Sequence, residues 1–250
     1  MKIGVLCVPF FTCESHFNSA KGTIESVRSS LTECEIHIRA VVNRCDSAEH
    51  MSEFCSLVDS HELNDKNILS RAWNKGIRHL LEDGCRYVLV INLDLVLHPF
   101  LIEKLVLLAD QFQQAVMWSA EEVDSVEALM QEVPDELREN YANFSCFLID
   151  SKLFEQIGEF DERFVPAYHE DADMRYRMNV AKALHIGLTS AKFLHAGQGT
   201  LKAILNEKDE ELAMKIRLAM NTSMDRYSEK WGGLPGNETF SVPFGKESSS

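Results

Sequence analysis

Apolar residues fall along this chain in two alternating rhythms. Ile3-Gly-Val-Leu-Cys-Val8 is a short continuous apolar run ended by Pro9, which predicts a buried strand. Ile24, Val27 and Leu31 recur at helical spacing and predict a helix over 15–31, and Ile36 to Val42 predicts a second strand before the polar loop Asn43-Arg-Cys-Asp-Ser. Ile68, Ala72, Ile77, Leu80 and Leu81 share one side of a helix over 68–81, with Gly84 just past its end. Tyr87 to Ile91 predicts a third strand, and Phe100 to Ala109 a helix entered through Pro99.

Ala115 to Trp118 reads as a short strand, and the acidic, poorly patterned residues 120–140 as a variable excursion. Phe144 to Ile149 reads as a strand, 151–157 and 170–183 as helices, 185–194 as one or two short strands, and 202–230 as largely helical. Strands alternating with helices predict an α/β sheet with crossover helices, in one domain. At 250 residues the chain buries about three quarters of its extended surface, which suits a single core.

Charge narrows the function classes. Lys plus Arg number 25 against 39 Asp plus Glu, a net charge of −14, which argues against sequence-independent nucleic-acid binding and anionic membranes. The greasiest later stretch, Val88 to Leu108, is broken by Asn92, Asp94, His98, Glu103 and Lys104, so no membrane span is expected. Seven cysteines without a CxxC pair read as free thiols in a reducing compartment, and the expected location is cytoplasmic.

In a doubly wound sheet, ligands gather at the carboxyl ends of strands. Asn92 and Asp94 interrupt the third strand two residues apart and point to one side. A carboxylate buried there needs a cation or a set of donors: either Asp94 takes a hard divalent ion such as Mg2+ or Mn2+, or it starts a turn before His98-Pro99. Tyr168-His-Glu-Asp-Ala-Asp-Met-Arg-Tyr-Arg177 collects acids at a helix start, which either complement the helix dipole or supply a general base. Asp171 and Arg175 are one turn apart and expected to pair. His195 ends a strand before Gly197 and Gly199, while no P-loop, GxGxxG, HExxH or GxSxG pattern occurs.

In order, these segments resemble the family 2 glycosyltransferases of the GT-A fold, rhamnosyltransferase-like branch. The resemblance is carried by Val8-Pro-Phe-Phe11, Val41-Val-Asn-Arg44, Ala72-Trp-Asn-Lys-Gly76, Val90-Ile-Asn-Leu-Asp94 with His98-Pro99, Phe160-Asp-Glu-Arg-Phe164, Glu170-Asp-Ala-Asp173 with Arg175 and Arg177, and His195 with Gly197 and Gly199. It implies a mixed central sheet flanked by helices with a helical C-terminal tail. The nucleotide-sugar half would be 1–118, the acceptor half 141–200, and the tail 201–250. It also implies transfer of a hexose or deoxyhexose from a nucleotide-sugar to an acceptor hydroxyl, with inversion.

The same resemblance implies the roles. Pro9 and Phe11 would flank the donor base, Asn43 would meet the base or ribose, Arg71 would face the nucleotide, and Asn92 would bond the ribose or the metal's water shell. Asp94 and His195 would hold Mn2+ or Mg2+, Asp171 would be the base, and Glu170 and Asp173 would lie on the acceptor side. Asn43 stands where relatives carry a carboxylate, which leaves UDP, dTDP and GDP donors open. Asn92 stands for the first acid of the metal motif, Ser145 and Glu159 for glycines. The contrasting reading is a non-catalytic nucleotide-sugar binder or targeting subunit of the same fold. The tail around Trp231 and Phe240 reads either as a packing clamp or as a lid over 231–244.

Overall fold

The computed structural model describes residues 1–114, 116–195 and 210–245. Its elements in chain order are β1 (Lys2–Cys7), β2 (Phe10–Phe11), α1 (Glu14–Arg28), β3 (Glu35–Val42), β4 (Arg44–Cys45), α2 (Ala48–Leu57), β5 (Ser60–Leu63) and α3 (Leu69–Glu82). Then come β6 (Tyr87–Ile91), β7 (Leu95–Leu97), α4 (Leu101–Ala109), β8 (Val116–Val123), α5 (Val126–Met130) and β9 (Leu137–Glu139). The last are β10 (Cys146–Ile149), α6 (Ser151–Ile157), α7 (Glu170–Ala181), β11 (Leu184–His195) and α8 (Glu210–Trp231).

Nine strands form one mixed sheet in the order β5-β3-β1-β6-β10-β8-β11-β7, with β9 on β11. The pairs β5/β3, β3/β1, β1/β6 and β8/β11 are parallel, while β10 runs antiparallel to both β6 and β8. Two reversals cancel, so β1, β3, β6, β8 and β11 all end at the same edge.

Both faces of the sheet are covered, which is why its strands are apolar throughout. In β6, Tyr87, Leu89 and Ile91 join the core under α1, α2 and α4, while Val88 and Val90 join the core under α3 and α6. Helix α3 lies directly on β1: a Cβ on Gly76 would sit 2.2 Å from Leu6 Cδ1, so only glycine allows the contact.

The pattern missed some elements. The short strand expected at 115–118 runs on to Val123, because Glu121, Glu122 and Val123 pair with Lys192, Phe193 and Leu194 of β11. The excursion after it is ordered into α5 and β9. The buried Lys192 ammonium explains part of this, since it donates to the carbonyls of Ala128 and Gln131 at the end of α5. The segment 185–194, expected as one or two short strands, is part of one 12-residue strand. Helix α1 ends at Arg28, short of Leu31, which is exposed. Helix α2 escaped notice because it buries only Phe54; its signal is the Ser47 cap, whose hydroxyl accepts from His50 N–H.

A polar cluster fastens α8 to α7. Asp173 is fully buried and accepts from Trp231 Nε1 at 2.8 Å and Arg177 Nε at 2.9 Å, with Lys230 Nζ at 2.5 Å. Lys230 also reaches Asp161 at 2.7 Å. Burial alone would raise the Asp161 carboxyl, but hydrogen bonds from Arg163 and Lys230 hold it well below the usual carboxylate range. The tail folds back on this cluster: Thr239 and Phe240 N–H both donate to Trp231 O, and Tyr176 Oη donates to Phe240 O at 2.8 Å. These contacts join the tail to Trp231 and α7; residues 202–209 and 246–250 lie outside the described residues.

Removing Lys230 takes one cation from each of two desolvated carboxylates, leaving Asp161 with Arg163 and Asp173 with Arg177. Lys230→Met is expected to cost about 3 kcal/mol, read as a fall in melting temperature of roughly 10 °C. A melting temperature unchanged within a degree would show that the cluster does not hold α8.

Candidate functional site

The common strand edge gathers the chemistry. Asp94 sits between β6 and β7, and β7 turns back along β11 with Leu95 opposite His195. His195 Nε2 is thereby 3.5 Å from Asp94 Oδ1, and its Nδ1 is 2.9 Å from Glu122 Oε1 at the end of β8. Asn92 lies on the same loop, its N–H donating to Ser145 O at 2.9 Å. Burial raises the Asp94 carboxyl above its ordinary value, the charge of His195 opposes this, and the charge of Glu122 adds to it. His16, at the start of α1, also acts electrostatically on Asp94, and its buried Nε2 has no hydrogen-bond partner.

Glu122 was invisible to the sequence reading, lost inside the supposed excursion. The only signal available was the alternation Trp118, Ala120, Glu122, which puts it on the face of a strand continuing past the apolar run. Gly197 and Gly199, the rest of the His195 motif, lie outside the described residues.

The residues expected to meet the donor nucleoside lie at the ends of β1 and β3. Pro9 is buried, and its carbonyl accepts from the N–H groups of Asn43 and Arg44 at 2.9 and 3.2 Å. Phe11 does not flank this opening. It is 3% exposed and packs edge-on against Phe17 and Phe54, because alternation along β2 turns it inward and leaves Phe10 outward under the Arg44 guanidinium. Asn43 accepts at Oδ1 from Nδ2 of the buried Asn64, which also donates to Ile68 O at 2.8 Å. The Ile68 carbonyl fixes which end of Asn64 is the amide nitrogen, so the Asn43 side-chain oxygen is committed to Asn64. Arg71 is already paired, with Asp65 at 3.0 Å and Glu162 at 3.3 Å.

The acids expected on the acceptor side, Glu170, Asp171 and Asp173, sit at the start of α7. This helix precedes β11 through a two-residue turn and packs on it, and the loop leading into it is tied to the start of α3, where Leu69 N–H donates to Pro166 O at 2.8 Å. Tyr168 and His169 both have positive φ, 80° and 66°, and this sharp bend aims the first turn of α7. Asp171 is half-buried, with Oδ1 accepting from Ala172 N–H at 2.8 Å. The expected pair with Arg175 is replaced by Asp173 with Arg177 at the same spacing. Asp173 itself is enclosed by Lys230, Arg177 and Trp231, so it anchors α8 and does not face an acceptor. Glu170 is 5% exposed; burial first, and the Asp171 charge second, push its carboxyl up to about 8.

Among the described residues, no group of three or more histidines, cysteines or acids is placed to cage a metal ion. A hard divalent ion bound with phosphate needs only one or two protein ligands and keeps waters and substrate oxygens for the rest. Asp94 and His195 supply such a pair: neighbouring ligands of an ion at ~2.1 Å lie about 3 Å apart, close to the 3.5 Å observed. The largely buried Asp94 carboxylate, with the Glu122 carboxylate on the far side of His195, suits a cation, so the donor set fits.

No family model matches the sequence, and no curated protein matches it. Solved structures do match in fold. GalNAc-T7 with UDP, GalNAc and Mn2+ superposes with a TM-score of 0.65 at 10% identity, over 92% of this chain and 48% of that one. S. aureus TarS 1-349 in complex with UDP gives 0.57 at 12% identity, over 91% and 72% of the two chains. The same protein in complex with UDP-GlcNAc gives 0.55 at 11% identity, over 91% and 73%. The chain spans about half the length of the GalNAc-T7 chain. The fold is therefore GT-A, a mixed α/β sheet flanked by helices. No helix among the described residues is long and apolar enough to cross a membrane.

Glu170 gives this site a pH signature. Unfolded, it loses its proton near 4.3; folded, near 8. Between those values the folded state binds more protons, so its contribution to stability is present at low pH and is lost as pH rises. Glu170→Gln keeps the shape of the protonated acid and removes the loss. Its melting temperature is expected to exceed that of the native protein by about 3 °C or more at pH 8 and by little at pH 5. Parallel melting curves across this range would show that Glu170 ionises normally.

Proposed function

We propose that this protein is a metal-dependent glycosyltransferase that moves a sugar from a nucleotide-sugar donor to an acceptor hydroxyl. The observation that carries the proposal is the facing pair of Asp94 and His195 at the carboxyl edge of a GT-A sheet, and the reading assigns Asp171, at the start of α7, as the base. The solved relatives with UDP, UDP-GlcNAc and Mn2+ support the same ligand classes here. The motif resemblance to the rhamnosyltransferase-like branch supports a hexose or deoxyhexose as the transferred sugar.

The residues divide the work. Asp94 and His195 would hold Mn2+ or Mg2+, whose chemistry when bound is to neutralise the leaving diphosphate. Asn92 would bond the ribose or the metal's water shell, and Asn43 would offer an amide N–H to the base beside Pro9. Asp171 takes the proton from the acceptor hydroxyl as that oxygen attacks the anomeric carbon. Attack opposite the departing diphosphate inverts the anomeric centre. Arg71 acts through its neighbours, holding Asp65 and Glu162 around the nucleotide side. Glu170, nine-tenths buried and adjacent to Asp171, is an acid whose proton limits charge on the acceptor side.

Two measurements test this. In a thermal-shift and slow-hydrolysis screen of UDP-, dTDP- and GDP-sugars with Mn2+, one donor class is expected to stabilise the native protein and not Asp94→Ala. Asp171→Asn is expected to keep that stabilisation and lose turnover by about 100-fold or more. Stabilisation without any turnover by the native protein, once acceptors are supplied, would instead favour a nucleotide-sugar binder. No stabilisation by any donor would overturn the reading.

Asn43→Asp tests the base contact separately. The carboxylate still accepts from Asn64 but presents an acceptor where the amide presented a donor. The ranking of UDP, dTDP and GDP by affinity is expected to change without loss of thermal stability. An unchanged ranking would remove Asn43 from the base.

A further inference from the structure

Polar contacts at the carboxyl edge close into a ring. His195 Nε2 faces Asp94 Oδ1 at 3.5 Å, and His195 Nδ1 faces Glu122 Oε1 at 2.9 Å. The second oxygen of Glu122 accepts from Asn143 Nδ2 at 3.3 Å. Asn143 Oδ1 accepts from Ser145 N–H, and Ser145 O accepts from Asn92 N–H, each at 2.9 Å. Asn143 is in turn held by its own N–H on the buried Ser119 hydroxyl at 3.0 Å. Asn92 returns to Asp94 along the chain.

The ring contains one imidazole between two carboxylates. An ionised carboxylate only accepts hydrogen bonds, so whichever acid holds the neutral ring takes its single N–H. Glu122 is at hydrogen-bond distance and steadied from behind by Asn143. Asp94, at 3.5 Å, is at the limit of contact. With the N–H turned to Glu122, the lone pair of His195 is on Nε2, toward Asp94. Without Glu122, Asp94 is the remaining acid, and it would draw the N–H to the nitrogen that must be bare in order to bind a metal.

We propose that Glu122 is a positioning residue that holds His195 as the Nδ1–H tautomer, leaving Nε2 bare to share a divalent cation with Asp94. This rests on the reading of Asp94 and His195 as a metal pair. Glu122 touches neither substrate nor metal. It acts through the histidine, as an outer carboxylate commonly does for a ligating imidazole.

The test compares the native protein, Glu122→Ala and Glu122→Gln at one neutral pH. The tautomer of His195 is read without metal by long-range 15N–1H NMR, its signals assigned by their loss in His195→Gln. Mn2+ affinity is read by electron paramagnetic resonance, with and without UDP. The Glu122 side chain is 46% exposed, so both variants are expected to melt within a few degrees of the native protein.

The native ring is expected as Nδ1–H. Glu122→Ala is expected to move the proton to Nε2 and lower Mn2+ affinity about 10-fold or more. Glu122→Gln, whose amide oxygen still accepts, is expected to keep the tautomer and stay within about threefold of native affinity. An unchanged tautomer in Glu122→Ala overturns the proposal whatever the metal does. A moved tautomer with unchanged Mn2+ affinity overturns its metal half. A native protein that binds no Mn2+ even with UDP, while Glu122→Ala still moves the proton, overturns the metal-pair reading instead.

Discussion

Strand β10 runs against both of its neighbours, and this reversal sets where everything else can be. Because β6 and β8 are each antiparallel to β10, they are parallel to one another across it. The loops after β6, β8 and β11 therefore open on one edge and bring Asp94, Glu122 and His195 within reach of each other. The entry to β10 lies at that edge too, and there Ser145 O accepts from Asn92 N–H. A sheet parallel throughout would have put the start of β10, and with it Ser145, at the opposite edge, out of reach of Asn92.

A second constraint is electrostatic. Asp173 and Asp161 are taken out of water on folding, which is costly unless cations replace the lost hydration. Lys230, Arg177 and Arg163 do so, and Lys230 and Trp231 belong to α8. The C-terminal helix is thus tied to the first turns of α7, the helix that carries Asp171. One turn of one helix holds acids of opposite fate: Asp173 is neutralised by fixed cations, Glu170 by taking up a proton.

The sequence showed the fold where burial alone decides it. Tyr87 to Ile91 reads as a strand because both its faces are covered, and α3 reads as a helix because one face is. Where pairing or a single cap decides, the pattern was silent: Glu121 and Glu122 are strand residues only because Lys192 and Phe193 lie beside them. Of the site, Asp94 and His195 were legible as polar residues in apolar runs, and the structure brings them together. Phe11 was misplaced because a two-residue strand gives too little alternation to say which of two phenylalanines points inward. Asp173 was misplaced because an acid bound by Lys230, 57 residues later in sequence, looks the same as one awaiting a ligand.

The glycine contact between α3 and β1 has a mechanical consequence. With no side chain at position 76, the helix backbone rests on Leu6 with nothing compressible between them. Asn74, two residues earlier, grips the Phe160 backbone on both sides, donating to its carbonyl and accepting from its N–H, each at 2.9 Å. The sheet thus acts as a datum plane, and α3 transfers its height to the segment leading to Asp171 through two stiff joints. A side chain added at position 76 would therefore press on Leu6 and, through Asn74, bear on the Phe160 backbone as well.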